Sequence, residues 1–99
     1  MSITYWRSQI DEIDRALVSL ISERARCART IGRLKREQQL PIVDAAREND
    51  VQTNVKATNS GPLATEALQR IFERIIDEMR LLQENASETN QEQTKAELE

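Results

Sequence analysis

The sequence predicts an all-α protein, and three observations carry the prediction. Apolar residues recur at steps of three and four through the first third of the chain and again from Leu68 onward. The 99 residues hold only two glycines and two prolines, with 38% hydrophobic and 31% charged residues, a soluble helical composition. The breakers that do occur, Pro41 and the run Asn59-Ser60-Gly61-Pro62, divide the chain into three helix-sized pieces. A chain this short builds a single small core, so one domain is expected.

The first piece is the longest. Ile3, Trp6, Ile10, Ile13, Leu17, Leu20, Arg24, Cys27, Ile31 and Leu34 form one seam of alternating three- and four-residue steps, the spacing of a helix packed lengthwise on others. Ser2 or Thr4 is the expected N-cap, and Pro41 disfavours helical geometry in Leu40, which places this helix at about residues 4 to 38. Some 35 residues at about 1.5 Å each make a rod of about 50 Å, whereas a compact 100-residue domain has a radius of gyration of about 13 Å. Its own chain cannot cover such a rod.

After a connector from Gln39 to Val43, Asp44 is the natural N-cap of a short second helix running to Thr58. Its stripe of Val51, Val55 and alanines is thin, so it should be peripheral. A turn over Asn59 to Pro62 then puts Pro62 near the first position of a medium third helix, whose stripe of Leu68, Ile71, Phe72, Ile75, Ile76, Met79 and Leu82 marks it as core. From Glu84 the sequence turns polar, so the helical domain is expected over 1–87 and a mobile tail over 88–99. Two strong helices and one weak one bury too little alone. The expected architecture is therefore an intertwined homodimeric helical bundle.

Composition narrows the function. Fourteen Lys and Arg against seventeen Asp and Glu give a net charge of −3, which argues against duplex nucleic acid. One Trp, one Tyr and one Phe offer little stacking surface for single strands. The chain has no histidine, which removes the usual general base, the usual metal ligand and the histidine-activated nucleophiles together. No metal and no cofactor are expected. A single cysteine, Cys27, forms no internal disulfide, and the opening residues lack the apolar stretch of a signal peptide. With no run of about 20 apolar residues to span a bilayer, the expectation is a cytoplasmic protein that avoids membranes.

Several polar residues break the apolar pattern. Arg24 sits in the seam between Leu20 and Cys27, where a guanidinium needs an anion, either an acid of another helix or a ligand. Lys35 follows eleven residues later on nearly the same face, about 16 Å along the axis, so the two long side chains can converge on something small. Gly32 costs about 1 kcal/mol relative to Ala in mid-helix and points to close approach of a ligand or another backbone. Arg7 precedes Arg24 by seventeen residues, about 25 Å along the axis. Only a partner chain could bring it to the same small molecule. Asp44, Arg47 and Glu48 share the first turn of the second helix, where capping and surface pairing would also explain them. Gln83 is an amide on the apolar stripe of the third helix, while Cys27 and Met79 read most simply as core.

Taken together, Arg7, Arg24, Lys35, Asp44-x-x-Arg47-Glu48 and Gln83, with a third helix reading GPLATEALQRIFERIIDEMRLLQ, resemble the all-helical chorismate mutase family over residues 5 to about 85. That resemblance implies an intertwined dimer with two equivalent sites, each taking Arg7 from the opposite protomer, and the rearrangement of chorismate to prephenate in aromatic amino-acid biosynthesis. It implies that Arg7 and Arg24 clamp the substrate carboxylates, with Arg47 an additional cation. Lys35 and Gln83 would donate to the ether oxygen, Glu48 would accept from the ring hydroxyl, and Asp44 would contribute through capping and main-chain contact. Met79 stands where many relatives have a serine that bonds a substrate carboxylate, so one polar contact is expected to be missing. Two rivals stand beside this reading. One is an isochorismate-pyruvate lyase, a family member acting on a sister substrate, against which Gln83 and the mutase-like connector count. The other is a non-catalytic helical dimerisation or regulatory module, in which the same arginines would form interhelical salt bridges.

Overall fold

In a computed structural model the backbone is described over residues 2–98 and the side chains over residues 2–85. Three helices follow one another: α1 (Ile3–Glu37), α2 (Ala45–Thr58) and α3 (Thr65–Leu98). The tail expected at 88–99 lies outside the residues whose side chains are described. No strand occurs among the described residues, and none of their helices is long and apolar enough to cross a membrane.

Local chemistry sets the ends of α1 and α2 close to where the sequence places them. The Ser2 hydroxyl caps α1, accepting from the Tyr5 N–H at 3.1 Å. Its C-terminus closes at Gln38, and Gln39 takes φ 58°, the left-handed turn that ends a helix. Asp44 caps α2 as expected, its Oδ1 accepting from the Arg47 N–H at 3.0 Å. The start of α3 differs from expectation. Pro62 precedes the helix rather than opening it, because the Asn59 side chain organises a longer turn: its Oδ1 accepts from the Gly61 N–H, and its Nδ2 donates to the Leu63 carbonyl and the Thr65 hydroxyl. Gly61 takes φ 76°, a conformation that suits glycine.

α3 is the central element, packing against both α1 and α2. The face of α1 that packs is not the apolar seam. It is a stripe of small residues, with Ala28 and Gly32 buried and Ala25 half-buried. The gap at Gly32 is narrow: a Cβ there would lie 3.1 Å from the Gln83 Cα. The mid-helix glycine is thus explained by the close approach of another backbone, one of the two alternatives its position offered.

The seam itself is uncovered. Ile13, Leu17 and Leu20 are 63%, 50% and 61% exposed, and of the apolar residues among those described only Ala28, Val55 and Met79 are buried. Cys27, expected in the core, is exposed, because α3 touches α1 one helical face away. The Cα trace measures 53 × 37 × 15 Å, a flat arrangement of helices. Helices in a layer that thin leave much of their apolar surface open.

Candidate active site

Between the C-terminal half of α1, the start of α2 and the middle of α3 lies a cavity of about 410 Å³. Seven of the eight site residues expected from the sequence line it: Arg24 and Lys35 from α1, Asp44 at the cap of α2, Arg47 and Glu48 from its first turn, and Met79 and Gln83 from α3. Apolar wall is supplied by Ala28, Ile31, Ile42, Val51 and Ile76. Arg7 is the exception. It lies exposed near the start of α1, about 25 Å from Arg24 along the axis.

Lys35 and Gln83 form a fixed pair. The Lys35 ammonium donates to the Ile42 carbonyl at 2.8 Å and to the Gln83 Oε1 at 3.2 Å. Two of its three donors are thereby engaged, and one remains. Because the Gln83 oxygen receives the lysine, its amide NH₂ is the end left to donate. A charged donor and a neutral donor are therefore held together, both by contacts that leave a hydrogen to spare.

Arg24 and Arg47 face the same cavity. Among the described residues no carboxylate lies in salt-bridge range of either guanidinium. The Arg24 pKa is lowered from its ordinary value, first by desolvation and then by the charge of Arg47. A half-buried guanidinium beside a second, exposed one that repels it forms a site for an anion. The interhelical salt bridges that would make them structural are absent among the described residues.

Glu48 does have a partner, and sequence reasoning missed it. Arg80 donates through Nη2 to the Glu48 Oε1 at 2.6 Å and through Nη1 to the Asp77 Oδ1 at 3.3 Å, with the Arg80 and Glu48 side chains each 30% exposed. Arg80 also lines the cavity. A signal existed: Arg80 stands three residues from both Asp77 and Gln83 on α3, a spacing at which helical side chains meet. Met79 is 7% exposed and closes the wall beside them with an apolar surface.

The cavity can thus bind an anion at one end with two guanidiniums, offer paired hydrogen-bond donors, and present a carboxylate as acceptor. It contains no histidine, and no group of three or more metal-ligating side chains occurs among the described residues. This equipment suits a reaction driven by binding geometry and charge stabilisation.

Comparison with known proteins agrees. The family profile described as chorismate mutase type II matches residues 6–84. The bifunctional chorismate mutase/prephenate dehydratase of Pseudomonas aeruginosa is 39% identical over 75 residues, 71% of this chain and 20% of that protein. The chain therefore spans about a fifth of the length of such bifunctional relatives. The chorismate mutase of Methanocaldococcus jannaschii is 29% identical over 90% of this chain and 91% of its own length. Among solved structures, chorismate mutase (form II) from Thermus thermophilus superposes with a TM-score of 0.81 at 34% identity, covering 83% of this chain and 93% of that one.

Proposed function

The chain belongs to the chorismate mutase type II family, and from that premise we propose that it catalyses the rearrangement of chorismate to prephenate, a step of aromatic amino-acid biosynthesis. The observation that carries the reading is the Lys35–Gln83 pair, each with a donor left over, in one cavity with two arginines that have no carboxylate partner among the described residues.

A Claisen rearrangement is unimolecular and transfers no proton, so neither a general base nor a nucleophile is required. Two tasks remain. The site must hold a flexible dianion with its reacting carbons in contact, and it must stabilise negative charge growing on the oxygen of the breaking C–O bond. In the proposed arrangement Arg24 binds a substrate carboxylate, assisted by Arg47, while Lys35 and Gln83 donate to the ether oxygen. Glu48 accepts from the ring hydroxyl, and Asp44 holds the first turn of α2 that carries Arg47 and Glu48. The apolar surface of Met79 leaves one carboxylate contact unmade. Because donors on two helices are already positioned, little reorganisation accompanies the charge shift.

The same reading takes the working form to be an intertwined homodimer, with Arg7 of one protomer completing the site of the other. Support comes from the open seam of α1, where Leu17 is 50% and Leu20 61% exposed, and from the distance that keeps Arg7 out of its own cavity. A cytoplasmic location belongs to this reading, in which the single Cys27 stays reduced.

The test is loss of chorismate absorbance on adding purified protein, with identification of the product. Prephenate supports the proposal. Pyruvate released from isochorismate, with chorismate untouched, would assign the lyase activity instead, and inertness toward both would leave a non-catalytic module.

A further inference from the structure

Arg80 is the cavity-lining cation that the proposed mechanism does not use, and its geometry is specific. It engages only one oxygen of Glu48, at 2.6 Å, and leaves the other free. It bridges the first turn of α2 to α3, a tie between elements rather than within one. Its second contact, to Asp77 at 3.3 Å, braces the guanidinium from its own helix, while its Nε is buried without an acceptor. An orphaned buried donor is a cost to the fold, so the placement is not what stability alone would select.

Glu48 also needs restraint. Its carboxylate lines the same cavity as Arg24, Arg47 and Lys35, three cations that an unrestrained anion on a flexible side chain would seek out. A glutamate paired with them would neutralise the place where a substrate carboxylate must bind. Arg80 supplies a competing cation from α3, and its hydrogen bond to Glu48 in turn raises the arginine's own pKa.

Resting on the mutase reading, we propose that Arg80 is a positioning residue that tethers Glu48 at the α2–α3 junction, leaving one carboxylate oxygen for the ring hydroxyl and keeping the carboxylate away from the anion-binding cations. With the tether cut, Glu48 becomes an internal competitor of the substrate.

The experiment compares parent, Arg80→Met, Glu48→Gln and the double variant in steady-state chorismate kinetics, with helicity and thermal transition measured on each. Arg80→Met should raise KM about tenfold, with kcat changed less than about threefold. Glu48→Gln should raise KM in the parent and lower it in the Arg80→Met background, a reversal of sign that loss of folding would not produce. A KM unchanged in Arg80→Met, or a Glu48→Gln effect of the same sign and size in both backgrounds, would overturn the proposal. Should Arg80→Met not fold, Arg80→Gln, which keeps an amide donor without the charge, is measured in the same cycle and judged by the same two outcomes. A parent protein without mutase activity would instead remove the functional reading on which the proposal rests.

Discussion

Gly32→Ala adds one methyl at a close approach of α1 to α3, and the structure sets what it should do. The new Cβ would lie 3.1 Å from the Gln83 Cα and 3.2 Å from both its Cβ and Cγ. Carbon atoms pack favourably at about 3.5–4.0 Å, so the helices must separate locally by roughly 0.3–0.5 Å. Because one of the atoms met is backbone, rotation of the Gln83 side chain does not relieve the clash. The shift also displaces Gln83 relative to Lys35, whose contact is already at 3.2 Å, the long end of the hydrogen-bond range. Stability has two opposing terms. Alanine is worth about 1 kcal/mol over glycine in mid-helix, and overpacking costs about 1–3 kcal/mol, so the thermal transition should stay level or fall. Activity has one. If a 1 Å misplacement costs about a hundredfold, a shift of 0.3–0.5 Å costs roughly four- to tenfold, and it should fall on kcat with KM little changed. Continuous measurement of chorismate loss on the folded variant decides the matter. A variant with the parent's kcat would mean that the spacing at Gly32 does not position the amide, and the assignment of Gln83 to the reacting bond would lose its structural basis.

Three further outcomes are expected. Lys35→Ala removes the charged donor and should raise the barrier by about 3 kcal/mol, by analogy with deleting an oxyanion-hole donor; a rise in KM alone would contradict this. Gln83→Glu can donate only when protonated, and the neighbouring Lys35 favours its ionised form, so the variant should be nearly inactive at neutral pH and recover as pH falls, with a flat pH profile as the refuting result. Mixed Arg7→Ala and Arg24→Ala chains should regain activity after subunit exchange, since one site of each heterodimer would hold both arginines; sedimentation of an active monomer, or no recovery, would rule out the trans arrangement.

The helices and most of the cavity residues are legible in the sequence because they follow from local rules. Ser2 and Asp44 cap where short polar side chains can reach the first free N–H groups. Lys35 returns to the face of Arg24 because of helical periodicity, and both line the cavity. Other features depend on contacts that spacing does not reveal. Pro62 falls three positions ahead of the helix it was expected to open, because the Asn59 side chain extends the turn. Cys27 reads as core yet is exposed, because a seam on one helix does not state which neighbour, if any, will cover it. Arg80 does not stand out in the sequence because its meaning lies in Glu48, 32 residues away.

The sequence by itself determined the helical class, the three segments and the absence of histidine-based chemistry, since these depend on residue types and their spacing along one chain. Only the tertiary structure decided that α1 packs through Ala28 and Gly32 rather than its apolar seam, that Lys35 grips the oxygen of Gln83 and frees its amide, and that Glu48 is held by Arg80. The physical reason is the same in each case. Periodicity orients a side chain about its own helix axis, but which atom it meets depends on how closely and at what register two helices pack, and here the approach is so close that a Cβ at Gly32 would lie 3.1 Å from the Gln83 Cα.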